Sequence, residues 1–360
     1  MSKVAVAMSG GVDSSVSAAL AVEKYGVENV FGLTMKLFCY GEKENDAASV
    51  CKQLGIPHYV VNLEKEFEED VIADFISEYE HGRTPNPCVR CNSLIKFGRL
   101  LAKAQGMGAE LLVTGHYTRI DYSSNDNRYE KSGRNSSQQV SNNTIYHLHK
   151  GADPVKDQSY FLYNLNQDQL AHIWFPLGKL TKIETRKLAE KYRLKTAGKT
   201  ESQDICFVPT TTQEFLSGKV HAKSGNVVSK SGKVLGTHEG LPFYTVGQRK
   251  GLGGGFTQPM YVIGLDVNKN ELIIGREEDL YADRMVVRDM SWTNEKPNYP
   301  IELDVKIRYN SEPSRAKLTE DVDGLQIKFQ KTQRGITPGQ TAVFYCDNEV
   351  IGGGLIVESR

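Results

Sequence analysis

The sequence has no long hydrophobic run: nowhere does it approach the ~18 consecutive apolar residues that a membrane-spanning helix needs. Its first residues, Met1-Ser2-Lys3, open no secretory signal pattern, so a cytoplasmic protein with no membrane partner is expected. Cysteine is scarce. The six present (Cys39, Cys51, Cys88, Cys91, Cys206 and Cys346) are too scattered for a secreted disulfide framework, which makes the clustered ones candidates for metal ligation or redox chemistry. An excess of charge of one sign is missing as well: Lys+Arg and Asp+Glu are 44 each, so total charge gives no support for a nucleic-acid partner. Neither G-x-x-x-x-G-K-[ST] nor G-x-G-x-x-G fits the glycine-rich start of the chain, which sets aside the common P-loop and the dinucleotide fingerprint. No internal repeat is visible.

What the chain does have is a glycine-serine loop, Met8-Ser9-Gly10-Gly11-Val12-Asp13-Ser14-Ser15, directly behind the apolar run Val4-Ala5-Val6-Ala7. Adjacent glycines carry no Cβ to keep a phosphate at a distance. The small hydroxyl residues that follow can open a helix whose N–H groups and dipole face an anion. The loop therefore reads as a phosphate cradle.

Around it, strand and helix patterns alternate. Strands are expected near 4–7, 30–35, 58–63 and 111–114, and helices near 14–25, 47–54, 66–79, 94–105 and 181–192. Such alternation predicts an α/β fold, a parallel sheet with helices on both faces and its ligand beyond the carboxyl ends of the strands. A polar run at 123–143 is expected to be a mobile surface insertion. From 210 onward the pattern becomes short alternating segments and hairpins, at 225–228 with 233–236 and at 261–267 with 271–275. The predicted organisation is a nucleotide-binding catalytic domain at 1–209, a small β-rich connector at 210–280 and a C-terminal antiparallel β-barrel at 281–360. Charge is uneven within this frame: residues 177–251 hold fourteen Lys/Arg against six acids, an excess able to track a phosphate backbone, while 64–80 holds eight acids and one lysine.

Two clusters carry further chemistry. In Pro85-Asn86-Pro87-Cys88-Val89-Arg90-Cys91-Asn92 the prolines place both thiols on a rigid loop before a helix near Asn92, and Arg90 with the helix N-terminus is expected to lower the Cys91 pKa. A second C-x-x-C that would complete a structural zinc site is absent. Cys206 lies among Ile205, Phe207 and Val208, which read as core, so on its own it is expected to be buried. Taken with Cys91 it suggests a pair of thiols that carries and resolves a sulfur atom through persulfide and disulfide states.

The loop from Ser9 to Ser15 resembles the SGGxDS loop of the ATP pyrophosphatases, which split ATP between the α and β phosphates. Adding Gly82-Arg83-Thr84-Pro85-Asn86-Pro87, Cys91-Asn92, Ile95-Lys96-Phe97, Thr114-Gly115-His116-Tyr117, Lys156-Asp157-Gln158-Ser159-Tyr160-Phe161-Leu162, Ile205-Cys206-Phe207 and Thr245-Val246-Gly247-Gln248-Arg249-Lys250-Gly251-Leu252, the ordered set is similar to the tRNA-specific 2-thiouridylases along essentially the whole chain.

That resemblance implies adenylation of O2 of the wobble uridine of tRNA by ATP and displacement of AMP by sulfur. It assigns Ala7, Met8, Ser9, Gly10, Gly11, Val12, Asp13, Ser14, Met35 and Gly115 to ATP, with Mg²⁺ on the phosphates. Asn86, Pro87 and Cys88 would meet the target base, and Cys206 would bear the persulfide with Cys91 as second catalytic thiol. His116, Lys156, Asp157, Gln158, Arg308, Tyr309 and Gln340 would contact tRNA. The expected partners are tRNA and a sulfur donor, a cysteine desulfurase or persulfide relay protein, acting with a monomer. Because Cys88 stands where some members of the family have aspartate, Cys88, Cys91 and Cys206 are also alternative ligands for an iron-sulfur cluster. Two other readings keep the loop: nitrogen transfer, as in ligases and amidotransferases, and a non-catalytic zinc- and nucleotide-binding RNA-binding protein.

Overall fold

Alternation along the first strand sets the layering of the N-terminal half. In β1 (Lys3–Ala7), Val4 and Val6 face one apolar cluster and Ala5 faces another, all without solvent exposure. Such two-sided burial is the mark of a parallel sheet covered on both faces. The structure, a computed structural model, describes residues 3–37, 42–124, 144–200, 205–253 and 255–360; Cys39 and nearly all of the 123–143 insertion lie outside them.

The strands β2 (Val30–Lys36), β3 (His58–Asn62) and β4 (Ala109–Val113) follow β1 in the chain. After the paired strands β5 (Thr118–Ser124) and β6 (Thr144–Lys150) comes the short β7 (Ile173–Trp174). The parallel sheet runs β3-β2-β1-β4-β7, so the chain leaves β1 toward one edge and returns to its other side with β4. The crevice beyond the carboxyl ends of β1 and β4 is the topological switch point, where open α/β sheets take their ligands. Helices Val12–Tyr25, Glu42–Leu54 and Lys182–Lys191 cover one face, and continuous helical segments at 64–80 and 87–106 cover the other. The second of these begins at Pro87, with Asn86 as its N-cap, so Cys88 and Cys91 stand within a helix and not on the loop expected before it. Proline at the first helical position explains this: its missing N–H is one that no helix could have used. The turns from Cys91 to Leu100 are widened to a π-type helix, a feature common at functional sites.

The second region is a four-stranded sheet of β8 (Gly225–Ser229), β9 (Val234–His238), β10 (Tyr261–Asp266) and β11 (Glu271–Gly275), in which the two expected hairpins join through parallel pairing of β8 with β11. The third comprises β12 (Tyr281–Trp292), β13 (Ile301–Lys306), β14 (Ser314–Asp321), β15 (Gly324–Arg334), β16 (Thr341–Cys346) and β17 (Glu349–Ser359). Pairing of β12 with both β15 and β17 closes these six into a barrel. β16 shows how it is held: Ala342 and Phe344 point into the barrel core, whereas Val343 and Tyr345 join the large cluster under the parallel sheet. Period-two alternation thus makes one strand serve two cores. Each such large side chain, fully buried, contributes ~1.5–3 kcal/mol. The β5–β6 hairpin pairs with β17 and so extends the barrel sheet, which periodicity alone did not reveal. Among the described residues no helix is long and apolar enough to cross a membrane.

His147 on β6 and Glu349 on β17 meet at 2.7 Å across this junction. The contact raises the His147 pKa above 6.5 and lowers that of Glu349 below 4.5. The histidine contribution to stability is complete below the unfolded value near 6.5 and is lost as pH rises through the raised folded value. The glutamate contribution is present above about 4.5 and is lost as pH falls through the depressed folded value. We expect His147→Gln to destabilise the protein more at pH 6 than at pH 9 in urea unfolding; an equal loss at both would show that the pair contributes no charge-dependent stability.

Candidate active site

At the switch point the cradle is cross-braced by its own serines. Ser9 donates from its backbone N–H and its hydroxyl to Ser14 Oγ at 3.2 and 3.1 Å, and the hydroxyls of Ser14 and Ser15 donate to the Gly11 carbonyl at 3.1 and 2.8 Å. Gly10 takes φ +71°, a left-handed turn that only glycine makes without strain. Gly11 is the N-cap of the helix Val12–Tyr25 and supplies no side-chain cap, so the first helical N–H groups remain available to an anion. From β4 comes Gly115, where a Cβ would lie 2.9 Å from the Asp13 carbonyl carbon and 3.0 Å from the Ser14 nitrogen. Met35, at the end of β2, packs against the cluster that includes Ala5 and Leu33, beside Ala7. The residues expected to hold ATP are therefore gathered in one place.

Three cradle residues escaped the sequence reading. Lys182, 9% exposed, donates to both carboxylate oxygens of Asp13 at 2.7 and 2.8 Å, and the Tyr117 hydroxyl donates to Asp13 at 2.8 Å. Lys199 donates to the Gly10 carbonyl at 3.1 Å and pairs with Asp46. The lysines belong to the basic run at 177–251. Its excess charge was the available signal, but linear spacing gave no hint that part of it folds back onto a loop 169 and 189 residues away.

Beside Gly115, His116 is buried between the rings of Phe97 and Phe175, with Nδ1 2.6 Å from the Thr114 hydroxyl. Burial, and then the positive charge of Lys96, hold its pKa well below 6.5, so it is neutral at physiological pH. The charge of Lys96 also bears on Cys88 and Cys91, and both thiols feel Cys206. One neighbourhood therefore contains the three sulfurs expected to act together.

Their electrostatics correct the sequence reading. Burial pushes the Cys91 thiol up to about 12, and Lys96 only partly offsets this. Arg90, expected to lower it, turns away to Asp74 at 3.1 Å and to the Asp70 carbonyl, while Arg99 reaches the Asp70 carboxylate. The acidic segment at 64–80 takes up the helix's arginines and leaves Cys91 without their charge. The Cys88 thiol is raised as well, by the protein packed around its sulfur, although the residue as a whole is exposed. Cys206 is exposed although Phe207 and Val208 are buried, contrary to the expectation of a core cysteine. Phe207 packs edge-on to Phe67, Phe75 and Phe215, which anchors the turn and leaves the preceding thiol outside. Among the described residues no group of three His, Cys, Asp or Glu side chains is placed to hold a metal ion, so Cys88, Cys91 and Cys206 form no ready ligand set.

The residues expected at tRNA divide into two kinds. Gln340 donates to the carbonyls of Thr84 and Pro85 at 2.9 and 3.3 Å and thereby ties the barrel to the segment that begins with Asn86, Pro87 and Cys88. Tyr309 lies 4.5 Å from the ring of Phe161, and Arg308 donates to the Arg334 carbonyl; both follow the end of β13, where the Ser311 hydroxyl closes a turn with the Arg308 N–H and carbonyl. Lys156 is half-buried. Asp157 is buried, its carboxylate accepting from the Gly151 and Ser159 N–H groups and the Ser159 hydroxyl, and Gln158 accepts from the Tyr117 N–H at 3.0 Å. The side chains of Asp157 and Gln158 build the loop that presents Lys156.

A glycine-rich anion cradle at the switch point of a parallel sheet, met by the glycine that follows β4 and neighboured by thiols, defines a nucleotide-binding α/β domain of the ATP pyrophosphatase type. Residues 2–210 match the family described as tRNA methyl transferase HUP domain, 213–276 the tRNA methyl transferase PRC-barrel domain and 282–356 the aminomethyltransferase beta-barrel domain. The chain is 45% identical to the tRNA-specific 2-thiouridylase MnmA of Geotalea uraniireducens, covering 98% of this chain and 94% of that protein. It is 39% identical to the one from Rickettsia typhi, covering 100% and 99%. It belongs to the tRNA-specific 2-thiouridylase family. Among solved structures, an NMN synthetase from Francisella tularensis aligns over 56% of this chain and 66% of its own at 15% identity and a TM-score of 0.31, too distant to carry an argument.

Thiol exposure is directly measurable. With iodoacetamide at pH 8, the exposed Cys206, Cys88 and Cys346 should be labelled before Cys91, whose rate should keep rising well above pH 8.5, where an ordinary thiol saturates. Peptide mass spectrometry showing Cys91 labelled as fast as Cys206 at pH 8 would contradict the burial argument.

Proposed function

We propose that the protein uses ATP to adenylate O2 of the wobble uridine of tRNA and replaces that oxygen with sulfur carried by Cys206. The observation that carries this reading is the set of neighbours around the segment that leaves β4. Gly115 presses on the cradle at Asp13 and Ser14, and its neighbour His116 shares the charge of Lys96 with Cys88 and Cys91. Activation and sulfur chemistry thus adjoin each other. The matching family descriptions speak of methyl transfer, whereas the curated relatives are named for thiolation. An ATP cradle next to three thiols favours sulfur.

The C2 carbonyl of uracil is a weak electrophile with no leaving group; joining O2 to AMP with release of pyrophosphate supplies one. The helix N-terminus at Gly11 and the serine-braced loop receive the phosphates. Mg²⁺ would neutralise phosphate charge as pyrophosphate leaves, held chiefly by the nucleotide, since the described residues offer no three-carboxylate set. The terminal sulfur of a Cys206 persulfide attacks C2, AMP departs, and Cys91 attacks Cys206 Sγ. That breaks the S–S bond, leaves sulfur on the base and forms a Cys91–Cys206 disulfide, which an external thiol reduces. Asn86, Pro87 and Cys88 meet the base at the helix start, and Lys156, Arg308, Tyr309 and Gln340 hold the tRNA around it. His116, being buried and neutral, would meet the tRNA as an uncharged group and only where the base enters the site. A persulfide-bearing donor protein reaches Cys206, the exposed member of the pair. Ligation by three thiols of an iron-sulfur cluster and the nitrogen-transfer reading have no comparable geometric support.

Cys91→Ser and Cys206→Ser should each lower tRNA thiolation at least about a thousandfold, as loss of a nucleophile does, while tRNA-dependent pyrophosphate release persists. Wild-type thiolation by both variants would sink the sulfur-transfer mechanism.

A further inference from the structure

The cradle carries no lysine of its own, yet two reach it from the far end of the α/β region. We infer that Lys182 and Lys199 are the cations that hold the pyrophosphate half of the nucleotide; this deepens, and rests on, the proposed role of the loop in ATP cleavage. Lys182 is almost wholly buried, and a buried ammonium is seldom kept for stability alone, since an apolar residue of similar volume serves folding as well or better. Its position is closely fixed. It is the first residue of the helix Lys182–Lys191, whose N-terminus is closed by the reciprocal Thr181–Glu184 cap, and its backbone N–H donates to Asp153 at 2.9 Å. From there Nζ reaches both oxygens of Asp13, 5.6 Å from the Tyr117 ring.

Lys199 arrives from the other side, on a turn closed by its N–H to the Thr196 carbonyl, and its ammonium touches the Gly10 carbonyl. Its side chain is 39% exposed, and the Asp46 carboxylate that now pairs with it is partly exposed as well, so a phosphate can share or replace that partner. The two ammoniums therefore flank Gly11 and the uncapped helix start. A helix N-terminus supplies only about half a positive charge, whereas a departing pyrophosphate carries several negative ones, so catalysis of phosphoryl chemistry calls for fixed cations at this point. RNA phosphates would suit lysines equally, but Lys182 is inside the loop and beyond the reach of a polynucleotide backbone.

Sodium pyrophosphate alone, titrated calorimetrically into the full-length protein, tests this directly. Lys182→Met and Lys199→Met should each weaken pyrophosphate binding about tenfold or more, with tRNA retention on filters unchanged. Because Lys182→Met leaves the half-buried Asp13 without its cation, the double variant D13N/K182M, which removes both charges, keeps the test valid if the single variant unfolds; it should still bind weakly. Unchanged affinity in Lys182→Met and Lys199→Met overturns the inference, as does wild-type affinity in D13N/K182M, since Lys182 would then only neutralise Asp13. A wild-type protein that binds tRNA but no pyrophosphate overturns the reading of the loop itself, and the inference with it.

Discussion

The organisation of this molecule depends on a close approach that leaves no room for a side chain. The Cα of Gly115 sits against Asp13 and Ser14, so that the segment leaving β4 touches the loop leaving β1. In a parallel sheet whose order reverses between these two strands, that contact lies at the mouth of the crevice. To one side of Gly115 lies the serine-braced cradle, and to the other lie His116 and its ring neighbour Phe97, with Lys96 and Cys91 on the same helix as that ring. A Cβ at this position would push the two halves apart by several tenths of an ångström, a large displacement where reacting atoms must be held in near-attack geometry.

Around that contact the charges are arranged by pairing and not by accumulation. Three of the eight acids at 64–80 are spent internally: Glu78 on Arg83, Asp74 on Arg90 and Asp70 on Arg99. That pairing fixes the thiol helix against its neighbour and leaves Lys96 as the cation acting on the sulfurs. One lysine does not outweigh the loss of water: with its thiol near 12, Cys91 is ionised in roughly one molecule in 10⁴–10⁵ at neutral pH. Exposed Cys206 faces no such barrier of access, which fits a division of labour between a thiol that receives sulfur from outside and one that acts only when the site is assembled.

Much of the layout could be read in the sequence because it depends on local periodicity. The alternation of Val4, Ala5 and Val6, the Asn268-Lys269-Asn270 turn and the short segments after Tyr281 each reveal their element without reference to distant residues. What could not be read depends on pairings between remote positions. Nothing near Thr118 or Thr144 says that their hairpin joins Glu349 on β17, and nothing near Lys182 points to Asp13. The thiols fall between these cases. Proline breaks a helix from its interior, but Pro87 stands at the first helical position and starts one, and that difference of about one turn puts Cys91 on a buried helical face and not on an open loop. The expected fall in its pKa then became a rise, because burial outweighs a helix N-terminus when the nearest arginine already has a carboxylate partner.

The same remote pairings explain why the barrel belongs to the active site and is not merely appended to it. Gln340 reaches across to the carbonyls of Thr84 and Pro85, Thr84 donates its N–H to the Pro338 carbonyl, and its hydroxyl meets that of Thr245, in the connection between β9 and β10, at 3.1 Å. All three regions thus converge on the two residues just before Asn86. A loop held from three sides loses little further conformational entropy when a base docks against it, and that preorganisation converts binding energy into correct placement of C2. Val343 and Tyr345 extend the same logic inward, since they make the outer wall of the barrel part of the core beneath the thiol helix. Removing the barrel would therefore expose the underside of the parallel sheet and release the segment before Asn86 at once, so the barrel's packing and its hold on that segment cannot be separated.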